Sequence, residues 1–120
     1  MEGLVKGDVV ILTFPFSDLT RMKRRPGVVL APLEGDDIIL CQITSRRLDR
    51  YGLPLTSAGF RAGGLPRDSV VRPNKLFTGS RAVITRKAGS LSQRKISEVT
   101  DAVCRLLKDG GSWMVREGRV

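Results

Sequence analysis

Residues able to hold an anion gather at two places in this chain, Lys23-Arg24-Arg25-Pro26 and Thr44-Ser45-Arg46-Arg47. Arginine offers a planar fork of donors that stays charged near neutral pH, and the hydroxyls add short, adaptable ones. Arg25 directly precedes Pro26 and the apolar run Val28-Val29-Leu30. The spacing predicts a basic loop that stops at Pro26, where a strand begins, with Arg25 as the last loop residue. Gln42-Ile43-Thr44-Ser45 closes another strand, Asp37 to Thr44. Two strand ends presenting guanidinium and hydroxyl groups make a candidate phosphate site. A solvated loop arginine and a turn-forming threonine have the same composition, so the rest of the chain has to decide between them.

Much chemistry is excluded at once. The 120 residues include no histidine, which removes the commonest metal ligand and the commonest general base. A zinc site or a histidine-dependent triad is therefore not expected, and neither is a cofactor. Cys41 falls in an apolar strand and Cys104 on the apolar side of a candidate helix, without metal-ligand spacing, so both read as buried small hydrophobes. Charge is informative by position. From Arg46 to Lys95 there are twelve basic residues and two acidic ones, and the rest of the chain is nearly balanced, so the net charge of +9 resides in the middle. Such asymmetry is the electrostatic footprint of a polyanion partner, nucleic acid above all.

The elements that must position these residues are short. Val9 to Phe14 is a continuous apolar run, a strand buried on both faces. Phe14 to Lys23 has no periodicity and reads as a long hairpin loop leading to a strand over Val28 to Pro32. Leu33 to Asp37 is a tight acidic turn. Asp49 to Pro66 is irregular, with only Leu53 to Thr56 as an edge strand. Short strands follow at Ser69–Arg72, Lys75–Thr78 and Ala82–Thr85, separated by Pro73-Asn74 and Gly79-Ser80. The period then changes: Ile96, Val99, Val103 and Leu106, joined by Ala102 and Leu107, mark one amphipathic helix with Ser92 as N-cap and Gly110 just past its end. The pattern predicts a mainly β, α+β fold, a small curled β-barrel with one C-terminal helix, in a single domain over 1–110 followed by a tail, 111–120. No segment reaches the ~18–20 apolar residues of a membrane helix. Met1 to Gly7 lacks a signal-peptide pattern, so a cytosolic location is expected.

Read in order, Lys6-Gly7-Asp8-Val9-Val10, Phe14-Pro15-Phe16-Ser17-Asp18, Lys23 to Leu30, Gln42-Ile43-Thr44-Ser45, Gly64-Leu65, Lys75-Leu76-Phe77 and Gly89-Ser90-Leu91-Ser92 form a series that resembles the MazF/PemK-like toxins of bacterial type II toxin-antitoxin systems, over roughly residues 4 to 107. The resemblance implies an SH3-like barrel, a homodimer, metal-independent cleavage of single-stranded RNA, and an antitoxin that holds the activity in check. It also implies that Arg25 and Thr44 are catalytic. Ser45, Arg46, Arg47, Arg67 and Arg72 are candidates for substrate contacts, with Phe16 and Tyr51 as stacking surfaces and Asp18 as a loop carboxylate near the chemistry. The first loop is more basic here than in better-known members of that family. A non-catalytic module on the same barrel, a gyrase-inhibiting CcdB-type toxin or a nucleic-acid-binding protein, would require the basic surface but not the pairing of Arg25 with Thr44.

Overall fold

The computed structural model describes residues 3–15, 22–46 and 50–110. A single seven-stranded antiparallel sheet dominates it: β1 (Asp8–Pro15), β2 (Met22–Pro32), β3 (Asp37–Thr44), β4 (Leu53–Leu55), β5 (Phe60–Gly63), β6 (Ser69–Ser80) and β7 (Ile84–Leu91), followed by the helix α1 (Gln93–Asp109). Spatially the order is β4-β6-β3-β2-β1-β7-β5, and the sheet curls into a half-barrel. The expectation of a mainly β, curled fold with one C-terminal helix is met. No helix among the described residues is long and apolar enough to cross a membrane.

Because side chains alternate along a strand, the sheet has two apolar faces, and the unbroken run in β1 supplies both. Val9 joins Val28, Cys41, Ile43, Leu55, Val71 and Leu91 on the face that α1 covers with Val99 and Val103. Val10 and Leu12 turn the other way, against Leu4, Val29, Ile38 and Leu40. The register follows the apolar pattern, with Val9 opposite Val28 and Val28 opposite Cys41. A slip of one residue would invert every one of these side chains.

At the start of β1 lies a buried carboxylate. Asp8 is 0% exposed. It accepts the Val5 N–H at 2.9 Å and the Ser90 hydroxyl at 3.0 Å, and its Oδ1 meets Lys87 Nζ at 3.2 Å. Hydrogen bonds and a cation together compensate its desolvation. The lead-in turn and β7 are thus tied to the same side chain.

Several boundaries differ from those the sequence predicts. Strand β2 begins at Met22, so Arg25 sits inside the strand, opposite Leu12, and not in a loop before it. Pro26 does not start the strand because its neighbour on one side, β1, supplies the pairing, while the ladder to β3 runs only as far as Gly27↔Gln42. Pro73-Asn74 does not split β6. Arg72 pairs with Gln42 and Leu76 with Cys41, and the residues between them form a bulge in one continuous strand. Strand β5 was hidden in a glycine-rich stretch. It packs on β7 through Gly63 and Gly89, where a Cβ on Gly89 would meet Ala62 O at 2.6 Å and one on Gly63 would meet Ala88 O at 2.3 Å. The helix has its predicted caps, with Ser92 Oγ accepting the Lys95 N–H and Gly110 at φ 60°. Its buried side is narrower than expected, since Leu107 is 70% exposed and Cys104 is also exposed. Both lie off the stripe set by Val99 and Val103.

Candidate functional site

Where the β2–β3 ladder ends, the helix-side face of the sheet runs out of apolar cover and a cavity of about 250 Å³ opens. Strand alternation assigns its lining. Ile11 continues the Val9 row on β1, Arg24 and Pro26 the Val28 row on β2, Ile43 and Ser45 the Cys41 row on β3, and Ser69 the Val71 row on β6. Arg86 enters from β7, and Leu65-Pro66-Arg67 closes the rim ahead of β6. The floor is apolar and the walls are cationic: Arg24, Arg25, Arg67 and Arg86 line the cavity with the Ser45 and Ser69 hydroxyls, and among the described residues no carboxylate does. Ser69 Oγ donates to Arg67 O at 3.0 Å, fixing the turn that brings Arg67 in.

Permanent cations around a small cavity repel one another, and an anion placed among them relieves that repulsion. A phosphate with an adjoining planar apolar group matches both surfaces. Four arginines are more than one phosphate can engage bidentately, so a chain of phosphates fits better than a single one.

The predicted residues divide as follows. Arg25, Ser45 and Arg67 come together in the cavity. Thr44 is 7% exposed and does not line it. Alternation puts Thr44 with Leu40 and Gln42, the face to which Arg25 belongs through its pairing with Leu12. Extending the β2–β3 register two residues past Gly27↔Gln42 brings Arg25 and Thr44 level. Thr44 Oγ1 accepts the Arg46 N–H at 3.1 Å, which holds the Ser45-Arg46 turn and leaves the hydroxyl proton to be given elsewhere. Arg46 is exposed on that turn, outside the cavity lining. Arg72 is half-buried opposite Gln42 and also outside it. Tyr51 lies in a separate groove with Leu53, Pro73, Ala102 and Leu106 beside α1. Phe16, Asp18 and Arg47 lie outside the described residues, as does the 111–120 tail.

The sequence singles out Arg24 only as part of its basic run, and Ser69 and Arg86 not at all as site residues. For Arg24 and Ser69 the signal was available: each is an even number of residues from an apolar core position, Val28 and Val71 respectively, so the period of two places both on the helix-side face. Arg86 had no such signal, because bulges in β7 change its phase. Among the described residues no three His, Cys, Asp or Glu side chains gather where they could hold a metal ion.

Comparison with known proteins gives two findings. The family model described as PemK-like, MazF-like toxin of type II toxin-antitoxin system matches residues 5–107. The fold is similar to those of solved structures across nearly their whole length. One is MazE-MazF from Deinococcus radiodurans, at 21% identity and TM-score 0.66, covering 86% of this chain and 94% of that one. Another is the Mycobacterium tuberculosis toxin MazF-mt6, at 18% identity and TM-score 0.62, covering 82% and 96%. A third is an endoribonuclease in complex with its cognate antitoxin from a mycobacterial species, at 13% identity and TM-score 0.64, covering 88% and 96%. Comparison with curated protein sequences finds no match.

Proposed function

Since this chain belongs to the PemK-like, MazF-like toxins of type II toxin-antitoxin systems, we propose that it is an endoribonuclease that cuts single-stranded RNA in the cytoplasm, using the arginine-lined cavity and Thr44 behind it. The observation that carries the reading is the lining itself: four arginines and two hydroxyls around an apolar floor. The similar solved structures named as endoribonucleases support it.

The substrate supplies its own nucleophile. The ribose 2′-oxygen bonds to the adjacent phosphorus as the bond from phosphorus to the 5′-oxygen breaks. The 2′-hydroxyl proton leaves and the 5′-oxygen gains one, giving a 2′,3′-cyclic phosphate and a 5′-hydroxyl end. The protein has to align the attack and stabilise charge on the phosphate oxygens as it grows. Arg25, half-buried inside β2 two residues past its ladder with β3, clamps the non-bridging oxygens with a planar, permanently charged fork. Thr44, buried behind the cavity wall, acts by accepting the Arg46 N–H and so holding the turn that presents the Ser45 hydroxyl to the same phosphate. Ser45 and Arg67 hold flanking backbone, and Asp18 is the loop carboxylate available to take a proton. No step requires a metal ion.

The same groove explains control. An extended acidic peptide satisfies the same cations, so an acidic antitoxin would compete with RNA for it, and the toxin acts as a homodimer. Assay of a single-stranded RNA with excess chelator tests the reading. Cleavage is expected to persist and to stop when the cleaved nucleotide is made 2′-deoxy. Activity that disappears with chelator and returns with a divalent ion, or undiminished cutting of the deoxy-substituted strand, would overturn it.

A further inference from the structure

Arg86 is set in an unusual stretch of β7. Leu12 pairs with Ile84 but Ile11 with Arg86, so Thr85 is an extra residue; Val10 pairs with Lys87 but Val9 with Gly89, so Ala88 is another. Had the strand run on from Leu12↔Ile84 without a bulge, Arg86 would stand opposite Val10, which is 0% exposed in the second core. The first bulge moves Arg86 opposite Ile11, on the row that floors the cavity. The second restores the phase. Only Arg86 and Lys87 are displaced, and they part company: Arg86 lines the cavity, while Lys87 turns to the fully buried Asp8 at 3.2 Å. Bulges next to sites commonly re-aim one side chain in this way.

From this geometry we infer that Arg86 is a substrate-binding residue that holds a backbone phosphate next to the one being cleaved, with Lys87–Asp8 as the anchor that fixes its phase. The inference rests on the reading of the cavity as an RNA site. Arg25 reaches the cavity from β2 and Arg86 from β7, with β1 between them. Strands are spaced roughly 4.8 Å apart, so the two backbones are separated by about 10 Å. Two guanidinium groups arriving from such separate origins suit consecutive phosphates of one strand. Arg86 therefore contributes to binding and register more than to the chemical step.

The test separates this inference from the proposed activity. Binding is measured to a mixed-sequence single-stranded DNA oligonucleotide, which has no 2′-hydroxyl and cannot be cut, over a series of salt concentrations. Arg86→Gln is expected to raise Kd about tenfold and to lower the slope of log affinity against log salt by about 0.7, the value of one phosphate contact on a single strand. Arg86→Lys should recover most of the affinity, because a point charge suffices for one phosphate. Arg94→Gln removes an equal charge from an exposed position of α1 outside the cavity and should leave the slope unchanged. With RNA as substrate, Arg86→Gln should raise KM by a larger factor than it lowers kcat. A wild-type slope in Arg86→Gln, an equal loss in Arg94→Gln, or a fall in kcat with Kd unchanged would each overturn the assignment. A wild-type protein that binds but does not cut RNA would instead refute the activity, and the binding arms would still decide on Arg86.

Discussion

Arg25 is the residue at which charge and shape can be told apart. Arg25→Lys retains the charge and loses the planar fork, so we expect kcat/KM for RNA cleavage to fall by about 2–4 kcal/mol of transition-state stabilisation while RNA binding changes little. Thr44 poses a different question, since its oxygen also holds the Ser45-Arg46 turn. Thr44→Ser should keep most activity, and Thr44→Val should lose more rate than affinity in the same assay. The cysteines, which look alike in the sequence, behave oppositely. Burial pushes the Cys41 thiol from 9.0 up to about 12, whereas Cys104 is exposed. A thiol-alkylating reagent at neutral pH should label Cys104 alone in the native protein, as shown by mass spectrometry of the peptides. The folded state holds the Cys41 proton more tightly than the unfolded chain, so its contribution to stability is full below about 9 and declines as pH rises from there towards about 12. At this scale residue type was more readable than residue placement, since Arg25 was expected in a loop and lies inside β2. Arg25, Ser45 and Arg67 could be named from type and neighbours and do line the cavity, but that Thr44 stays outside its lining, and that Cys104 is exposed, depended on packing the sequence does not state.

Elements defined by a single strong rule were legible and those defined by contact were not. The run Val9 to Phe14, the strand Asp37 to Thr44 and the helix with its Ser92 cap each follow from a local period or a capping residue. Ser92→Ala removes the acceptor for the Lys95 N–H and should cost about 1 kcal/mol in denaturant unfolding. Strand β5, Phe60-Arg61-Ala62-Gly63, is only four residues long with no β-branched residue and exists because two glycine-containing backbones can touch. Gly89→Ala would drive a Cβ to 2.6 Å from Ala62 O, and backbone atoms cannot retreat as side chains do. A loss of about 1–3 kcal/mol is expected, with the β5 amides exchanging with solvent sooner than those of β3. The continuity of β6 through Pro73 was hidden for the converse reason, since proline reads as a break unless the partner strand is known to skip past it.

For the whole molecule, charge distribution is the broadest signal in the sequence. Twelve cations between Arg46 and Lys95 point to a polyanion partner, but composition could not say which of them converge. Folding selects Arg67 and Arg86 from that segment and adds Arg24 and Arg25 from β2. Affinity for single-stranded RNA should therefore fall steeply with salt. An acidic peptide should displace RNA in a competition titration, and a ternary complex with undiminished RNA affinity would show that the two occupy separate surfaces.

The bulges also have a metric consequence. From Asp8 to Leu12, β1 spends five residues where β7 spends seven, Ile84 to Ser90. Between Cys41 and Gln42 on β3, β6 inserts Pro73 to Lys75, and β2 carries Leu30 as an extra residue against the same strand. Contour length is thus in surplus on β2, β6 and β7 and short on β1 and β3. Strips of unequal length bonded edge to edge cannot lie flat, and at roughly 3.3 Å per residue the surplus on β7 alone is about 7 Å. The hollow that gathers the arginines is in this sense a mismatch in arc length. Removing Thr85 and Ala88 together would leave the β1–β7 pairing partners in place, lose the Gly64 N–H bond to Ala88 O, and relax the bend, so the arginines would spread apart although none had been changed.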